Sequence, residues 1–230
     1  MSEAVLSFNN VGLAYKRNLS PFAKKNWVLK DLSFDLYRGE VLGVIGRNGA
    51  GKSTLLRLLA DIVSPDKGKI IRSEQSRSQL LTLALGFIPK LNGYDNALMS
   101  LVTQGKTIAE ARALIPEIIQ FSEIGHLMNY PVSTYSSGER SRLGFSIAMN
   151  ASPDILLLDE MLGVGDKDFQ MKSSKALKKW VNSDQTAVLV SHSSGAILES
   201  CQRVLWIEDG QIKMIGDAST VVAAYNDTKK

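Results

Sequence analysis

The stretch Gly46-Arg47-Asn48-Gly49-Ala50-Gly51-Lys52-Ser53-Thr54 determines how the rest of this chain is interpreted. It follows the apolar run 41–45 and opens onto the run 55–60, which gives the order strand, glycine-rich loop, helix. The spacing G-x-x-x-x-G-K-S in that context is typical of a phosphate-binding loop. A glycine-rich turn that binds nothing is the alternative, but the Lys-Ser pair and both flanking runs favour phosphate binding.

Each residue type in this loop has a physical role. The glycines at 46, 49 and 51 let the backbone turn tightly and direct its N–H groups at a polyphosphate. A helix that begins near Lys52 directs its positive dipole end at the same anion. We expect Lys52 to reach the terminal phosphates and the Ser53 hydroxyl to ligate Mg²⁺.

Composition sets broad limits on the class of protein. A chain of 230 residues that is 44% apolar and 22% charged suits one large globular domain, or a core with an inserted lobe. We expect no secretory signal and no membrane span, because the sequence lacks the apolar runs that either needs. The single cysteine, Cys201, fits a reducing compartment. The net charge of +4 comes with scattered lysine doublets, which favours a solvated surface over a nucleic-acid partner.

Hydrophobic patterning predicts a layered first part and a helical middle part. Residues 4–8 and 32–36 alternate apolar and polar, which predicts half-buried strands of an antiparallel layer. The polar segment 16–26 is predicted to be a loop, and residues 73–79 to be exposed. From about 86 to 149 the pattern is helical, and Pro116 is expected to kink or interrupt the helix around it.

The last third of the chain carries short, continuous apolar runs. The runs 155–158 and 187–190 are typical of parallel strands buried on both faces. The segments 203–208 and 211–215 flank Asp209-Gly210, which predicts a hairpin. Together with the strand and helix around the phosphate loop, these runs predict an α/β fold.

Two adjacent carboxylates, Asp159 and Glu160, follow the buried run 155–158. Ligands of open α/β sheets bind at the carboxyl ends of the strands. Asp159 suits a role in holding Mg²⁺, and Glu160 suits polarising the water that attacks a terminal phosphate. An ordinary strand end is the alternative for such a pair alone, but the upstream phosphate loop favours a site.

Three further features are candidates for the same site. The segment Thr134-Tyr135-Ser136-Ser137-Gly138-Glu139-Arg140 precedes a predicted helix and could cradle an anion; an ordinary helix start capped by Ser137 is the alternative. His192 follows the run 187–190, where a side chain could sense a terminal phosphate, although a lone histidine is usually structural. Tyr15 could stack on a nucleobase, with an ordinary core or surface tyrosine as the alternative and Phe22 and Trp27 as nearby competitors.

These motifs, in this order, resemble those of ATP-binding cassette ATPases over nearly the whole chain. By that resemblance, residues 46–54 are the Walker A loop, Ser136 to Glu139 the signature, and Asp159 with Glu160 the Walker B pair. His192 is then the switch histidine, and Tyr15 the adenine-stacking aromatic. The resemblance implies ATP and Mg²⁺ as cofactors and catalytic roles for Lys52, Glu160 and His192.

The resemblance also implies an architecture. We expect an α/β P-loop NTPase (RecA-like) core with an antiparallel β layer and an inserted α-helical lobe. A single cassette domain would cover residues 1–230, with a core lobe at about 1–85 and 151–230 and a helical lobe at about 86–150. In one departure from the family pattern, the stretch 81–86 holds no glutamine where these ATPases usually carry one.

A narrower resemblance is carried by Tyr135-Ser136-Ser137-Gly138 in place of Leu-Ser-Gly-Gly and by the stretch 159–166 followed by Phe169-Gln170. A further pattern adds to it: Gly86-Phe87-Ile88-Pro89, Asn92-Gly93 and Asn96. These are similar to the nucleotide-binding subunits of polysaccharide exporters for O-antigen, capsule and teichoic acid. The resemblance implies a head-to-tail dimer with a second copy, an integral membrane permease docked near residues 85–96, and a lipid-linked polysaccharide as substrate. It implies a peripheral location at the cytoplasmic face of the inner membrane.

Three alternatives stay open at this stage. The chain could be a cassette ATPase with a non-transport role, although such proteins usually carry two cassettes or long coiled-coil insertions. It could be a transport subunit for a lipid, a peptide or a drug. It could also be a regulatory module that binds nucleotide without hydrolysis, which steady-state ATP hydrolysis would test. Some O-antigen relatives carry a C-terminal sugar-binding domain, and we expect this sequence, which ends at Lys230, to lack it.

Overall fold

The computed structural model describes residues 3–16, 25–73, 76–81, 86–159, 166–181, 183 and 185–228. The strands in these ranges are β1 Ala4–Lys16, β2 Lys25–Tyr37, β3 Val41–Ile45, β4 Lys67–Arg72, β5 Ser78–Leu81, β6 Ile155–Leu158, β7 Thr186–Val190, β8 Arg203–Glu208 and β9 Gln211–Asp217. The helices are α1 Lys52–Leu59, α2 Gly93–Thr103, α3 Ile108–Ser122, α4 Ser137–Ala151, α5 Lys167–Val181, α6 Ser194–Ser200 and α7 Ala218–Asp227. None of the helices in the described ranges combines the length and the apolar character that crossing a bilayer requires.

Contacts divide the chain into two compact units. The first unit comprises residues 1–80, 154–160 and 178–230, and the second comprises 81–153 and 161–177. The first contains most of the strands, and the second contains α2, α3 and α4. The lobe boundaries stated from the sequence stay a prediction.

The first unit contains two sheets. A three-stranded antiparallel sheet has the order β2-β1-β4, which confirms the predicted antiparallel layer. A six-stranded sheet has the order β5-β6-β7-β3-β8-β9. Within it β6, β7, β3 and β8 run parallel, and β9 returns antiparallel to β8 through the predicted hairpin. The α/β fold class is therefore confirmed.

The centre of the six-stranded sheet positions the candidate site. All residues of β3 and β6 are buried, as expected for parallel strands covered on both faces. Because β6, β7 and β3 are neighbours and parallel, their carboxyl ends meet at one edge. Asp159, His192 and Gly46 are the residues that follow these strand ends closely.

The second unit is a small helical core. Leu101 of α2, Ile118 of α3 and Leu143 of α4 are fully buried in one apolar cluster. A second contact set joins three phenylalanines: Phe121 stacks on Phe145 at 5.9 Å between ring centroids, and Phe169 meets both rings edge-on. These rings hold the start of α5 to the end of α3 and to the middle of α4.

The structure corrects three local expectations. The helix α3 runs through Pro116 without interruption, because that residue lies on the exposed face, where one missing backbone donor leaves no buried group unsatisfied. Residues 78–79, expected to be exposed, begin strand β5, which is half-buried at the sheet edge. The loop expected at 16–26 is shorter, because Lys16, Lys25 and Asn26 pair in β1 and β2, and residues 17–24 lie outside the described residues.

Candidate functional site

The phosphate loop is built from backbone conformations that only glycine adopts easily. Gly49 and Gly51 have φ of 81° and 106°, in the left-handed region that side chains rarely adopt. At Gly46 the restriction is space, because a Cβ would lie 2.3 Å from the carbonyl oxygen of Ile207. The loop therefore folds over the end of β3 and leads directly into α1, as the sequence predicts.

The side chain of Lys52 is folded into the loop. It is 8% exposed, and its ammonium group donates to the carbonyl oxygens of Gly46 at 2.8 Å and Arg47 at 3.1 Å. These bonds hold a positive charge at the centre of the loop. In the described part of the chain no side chain caps the start of α1, so its first N–H groups face the same place. An anion is the ligand that suits such an environment.

A cavity of about 290 Å³ lies at this end of the sheet, entirely within the first unit. Its walls bring together five of the predicted site residues that carry reactive or ligating side chains. They are Lys52, Ser53, Thr54, Asp159 and His192. Asn48, Gly49 and Gly51 complete the loop side, and Val28 and Val190 add apolar surface.

The cavity has the donor set for a polyphosphate and a hard cation. Ser53 is exposed at the first turn of α1, and Asp159 is half-buried at the end of β6. His192 is exposed just past β7, and the neighbouring Ser193 amide donates to the Ser191 hydroxyl in a tight turn. Glu160, predicted as the catalytic carboxylate, lies outside the described residues.

The predicted signature lies in the second unit, at the start of α4. The Ser136 hydroxyl accepts from the Glu139 amide at 3.2 Å, and the Glu139 carboxylate accepts from the Ser136 amide at 2.7 Å. This reciprocal pair is a capping box, so Ser136 caps the helix, and not Ser137 as the alternative of an ordinary helix start had it. Hydrogen bonds from Ser136 lower the pKa of Glu139. Ser137 and Gly138 keep their positions in the first turn, where backbone N–H groups face outward.

Other candidate residues were placed less directly by the sequence. Among the described residues, Tyr15 is not part of the cavity wall; it lies on β1 opposite Asn26 and is 39% exposed. Its role in stacking on adenine stays a prediction. The competitor Phe22 lies outside the described residues, and Trp27 is engaged by Lys67, whose ammonium group lies 5.2 Å from the ring centroid. Val28 lines the cavity from β2, and no motif in the sequence signals it.

The fold and this loop define a P-loop nucleotide-binding protein. The family model described as ABC transporter matches residues 29–163. The chain belongs to the ABC transporter family.

Relatives with assigned names narrow the comparison. The chain is 38% identical over 204 residues to the teichoic acids export ATP-binding protein TagH of Listeria innocua, covering 89% of this chain and 60% of that protein. It is 38% identical over 202 residues to the O-antigen export system ATP-binding protein RfbB of Klebsiella pneumoniae, covering 88% of this chain and 82% of that protein. The chain thus spans about 60% of the length of the Listeria relative.

Solved structures support the fold. The dimeric structure of MJ0796, described as a bacterial ABC transporter cassette, superposes with a TM-score of 0.75 at 21% identity, covering 93% of this chain and 98% of that one. At this identity the likeness concerns the fold alone. It agrees with the α/β core and the predicted P-loop class.

Proposed function

We propose that this chain hydrolyses ATP to drive export of a lipid-linked polysaccharide of the O-antigen, capsule or teichoic acid type. One observation carries the ATPase part: Lys52, Ser53, Asp159 and His192, which come from three separate sequence motifs, line one cavity at the edge of a parallel sheet. The substrate part is supported by relatives named for teichoic acid and O-antigen export. The exporter-like sequence around Tyr135 and Asp159 supports the substrate assignment as well.

The residues of the chain divide the work on ATP. The N–H groups of residues 46–54 and the Lys52 ammonium bind the phosphates and offset their negative charge. Glu160 orients the attacking water and takes its proton, and His192 contacts the terminal phosphate. Tyr15 supports the base by stacking.

A magnesium ion fits this donor set. Ser53 and Asp159 supply hydroxyl and carboxylate oxygens to the same cavity, and Mg²⁺ prefers such oxygens in combination with phosphate oxygens. Within the described residues no group of three or more His, Cys, Asp or Glu side chains forms a separate metal cage. When bound, such an ion would offset negative charge on the phosphates.

A second copy of the chain completes the site in this proposal. The start of α4, which follows the cap Ser136, offers the N–H donors of Ser137 and Gly138 to the ATP held by the phosphate loop of the other copy. Two sets of donors on one anion hold the copies together only while the terminal phosphate is attached. Hydrolysis then releases them.

The partner in the membrane is an integral permease, and the chain sits peripherally on it at the cytoplasmic face. We place its docking surface near residues 85–96, where Ile88 is 41% exposed and Pro89 and Lys90 are exposed. Residues 82–85, in the stretch that lacks the family glutamine, lie outside the described residues. Nucleic acid has no role in this proposal.

Deletion of the gene in its host tests the substrate. We expect loss of the surface polysaccharide with accumulation of lipid-linked polymer inside the cell, restored by the wild-type gene and not by a Lys52→Ala gene. An unchanged surface polysaccharide would remove the glycan assignment and leave an ABC ATPase for another substrate.

The variant Glu160→Gln tests the catalytic assignment. We expect an ATP-bound dimer with little turnover, detected by size-exclusion chromatography in ATP and by phosphate release. Turnover at the wild-type rate would remove Glu160 from its role.

A further inference from the structure

The surface loop formed by residues 88–92 is hydrogen-bonded to the segment that precedes the signature. We refer to residues 127–135 as the pre-signature segment. The amide of Val132 donates to Leu91 O at 2.9 Å, and the amide of Ser133 donates to Pro89 O at 2.9 Å. Asn92 and Pro131 form an isolated β-bridge. The 88–92 loop and the pre-signature segment therefore share a hydrogen-bonded backbone.

The buried side chain of Asn96 fixes the conformation of the 88–92 loop. Its side chain is 2% exposed, and its Oδ1 accepts from the Ile88 amide at 2.7 Å. Its Nδ2 donates to the carbonyl oxygens of Ile88, Leu91 and Asn92, at 3.1, 3.1 and 2.9 Å. One buried amide thus holds both ends of the loop, and a buried polar group with this many partners defines a single conformation.

Tyr135 joins the loop end to the signature. Its side chain is 3% exposed, and its hydroxyl donates to Leu127 O at 2.6 Å while lying against the backbone of Gly93. The contact requires glycine, because a Cβ at Gly93 would lie 2.3 Å from the Tyr135 hydroxyl oxygen. The next residue after Tyr135 is Ser136, which caps α4. The start of α2 and the start of α4 therefore meet at one hydroxyl.

We propose that the Tyr135 hydroxyl and Gly93 form a positioning joint, which transmits the position of the 88–92 loop to the N–H donors of Ser137 and Gly138. The inference rests on the proposed function, since it concerns the same signature and the same docking surface. A displacement of the loop moves the pre-signature segment with it, because backbone bonds, Asn96 and the joint all connect them. Burial raises the pKa of the Tyr135 hydroxyl, so it stays a neutral donor near pH 7.

A residue that only fills the apolar core at position 135 would not need a hydroxyl group. Leucine, the usual residue before the Ser-Gly-Gly of cassette ATPases, would pack here without a hydroxyl and without a need for glycine at 93. In this chain a directed hydrogen bond from the Tyr135 hydroxyl and a close contact with Gly93 take the place of a generic apolar contact. Directed bonds fix distance and angle, which is what the geometry of a donor array requires.

The experiment compares Gly93→Ala, Tyr135→Phe and the double variant in the full chain. In Gly93→Ala the new methyl group pushes the hydroxyl away, and since a shift of about 1 Å in a reacting array can cost about 10²-fold, we expect kcat for ATP to fall about tenfold or more. Affinity for a non-hydrolysable ATP analogue, measured by calorimetry, should stay unchanged, because the phosphate loop belongs to the other unit. The double variant lacks the clashing oxygen, so its kcat should return to the level of Tyr135→Phe.

Matched controls separate the joint from general effects of the substitutions. Gly195 occupies the first turn of α6, and a Cβ there would lie 3.8 Å from the nearest atom, Ser193 Oγ, so Gly195→Ala should leave kcat unchanged. Tyr130 is 58% exposed, and Tyr130→Phe should also be silent. Permease-stimulated hydrolysis in the reconstituted complex should fall in Tyr135→Phe by a larger factor than hydrolysis by the chain alone.

The outcomes distinguish failure of the joint from failure of the proposed function. Parallel losses of kcat and analogue affinity in Gly93→Ala, or no recovery in the double variant, would overturn the joint. Wild-type kcat in all three variants would overturn it as well. A wild-type chain that hydrolyses no ATP, alone or with its permease, would overturn the proposed function.

Discussion

Two helix starts carry the candidate chemistry, and they are built in opposite ways. The start of α1 follows Gly51, has no acidic residue in its first turn and, within the described residues, no side-chain cap. The start of α4 is closed by a capping box between Ser136 and Glu139, which brings a carboxylate against its own N–H groups. Both are positive dipole ends, but only the first is left entirely to a ligand.

The difference indicates a division of roles. An uncapped helix start next to a buried lysine is a site that binds a phosphate without help. A capped start already has partners for some of its N–H groups, so it keeps its shape without a ligand. Its remaining N–H groups then contact the nucleotide only when the second copy joins. We therefore expect the α1 end to determine nucleotide affinity and the α4 end to determine turnover.

Lys52→Ala is the change with the largest expected effect, because it removes the positive charge from the uncapped start of α1. The Lys52 ammonium group lies within hydrogen-bond distance of two loop carbonyls, and removing one such preorganised donor costs about 10²–10³-fold in rate. We expect ATP hydrolysis to fall by that factor and ATP binding to weaken, measured by phosphate release and calorimetry. The exposed Lys69→Ala is the control and should behave as wild type. Equal effects of both substitutions would contradict the special position of Lys52.

Arg142→Ala tests whether the contacts of residues beyond the first turn of α4 stabilise that helix in the second unit. The Arg142 guanidinium pairs with Glu123 at 3.2 Å and with Asp166, and it lies 4.8 Å from the centroid of the Phe169 ring. Its side chain is only 15% exposed, so we expect a loss of about 1–2 kcal/mol in the free energy of unfolding of the second unit, seen in denaturant titration.

The control is Lys178→Ala in the first unit, whose ion pair with Glu199 is exposed on both sides. Exposed pairs contribute about 0–1 kcal/mol, so the loss should be smaller. Affinity for ATP should be unchanged in both variants. A loss of ATP affinity in Arg142→Ala with unchanged stability would contradict the division of roles.

Glu139→Gln removes the charge from the cap and keeps an acceptor for the Ser136 amide. A carboxylate at a helix start competes with a phosphate for the same dipole, an effect of about 0.3–1 kcal/mol, or about 2–5-fold. We expect ATP-dependent dimerisation to strengthen by that factor, measured by sedimentation. Glu110→Gln is the control, because Thr107 and Glu110 form the same capping box at the start of α3. Equal strengthening in both variants would show that the charge acts on the protein as a whole.

The same pair of variants has a defined pH dependence. Hydrogen bonds with Ser136 lower the pKa of Glu139 below its ordinary value of 4.5, and Thr107 has the same effect on the pKa of Glu110. A lowered carboxyl pKa stabilises the fold above the ordinary value, and this contribution is lost as pH falls through the lowered value. The free energy of unfolding of each glutamine variant should therefore differ from that of wild type at neutral pH. The two values should converge in acid, where the wild-type carboxyl is protonated.

The sequence predicts the open helix start well because its determinants are local. Glycines, lysine and hydroxyls stand at fixed spacing between a strand and a helix, and each carries its conformational preference with it. The buried runs before Asp159 and His192 are also local, and the parallel sheet brings them to one edge. These residues could be assigned to one site before the fold was known.

The rest depends on contacts between distant parts of the chain. Val28 reaches the cavity only because β2 crosses the loop, and the strand β5 exists only because β6 pairs with it. The choice between Ser136 and Ser137 as the cap depends on one φ, ψ pair, which both serines could adopt. The exporter-like pattern includes both Gly93 and Tyr135, but the contact between the backbone of one and the hydroxyl of the other is set by the fold.

The most direct test of the division of roles is the rate of ATP hydrolysis per chain as the chain concentration is raised at saturating ATP and Mg²⁺. If α4 of a second copy completes the site, the rate per chain should rise with concentration and level off as the dimer saturates. A constant rate per chain, over a range in which sedimentation shows monomers, would contradict the account.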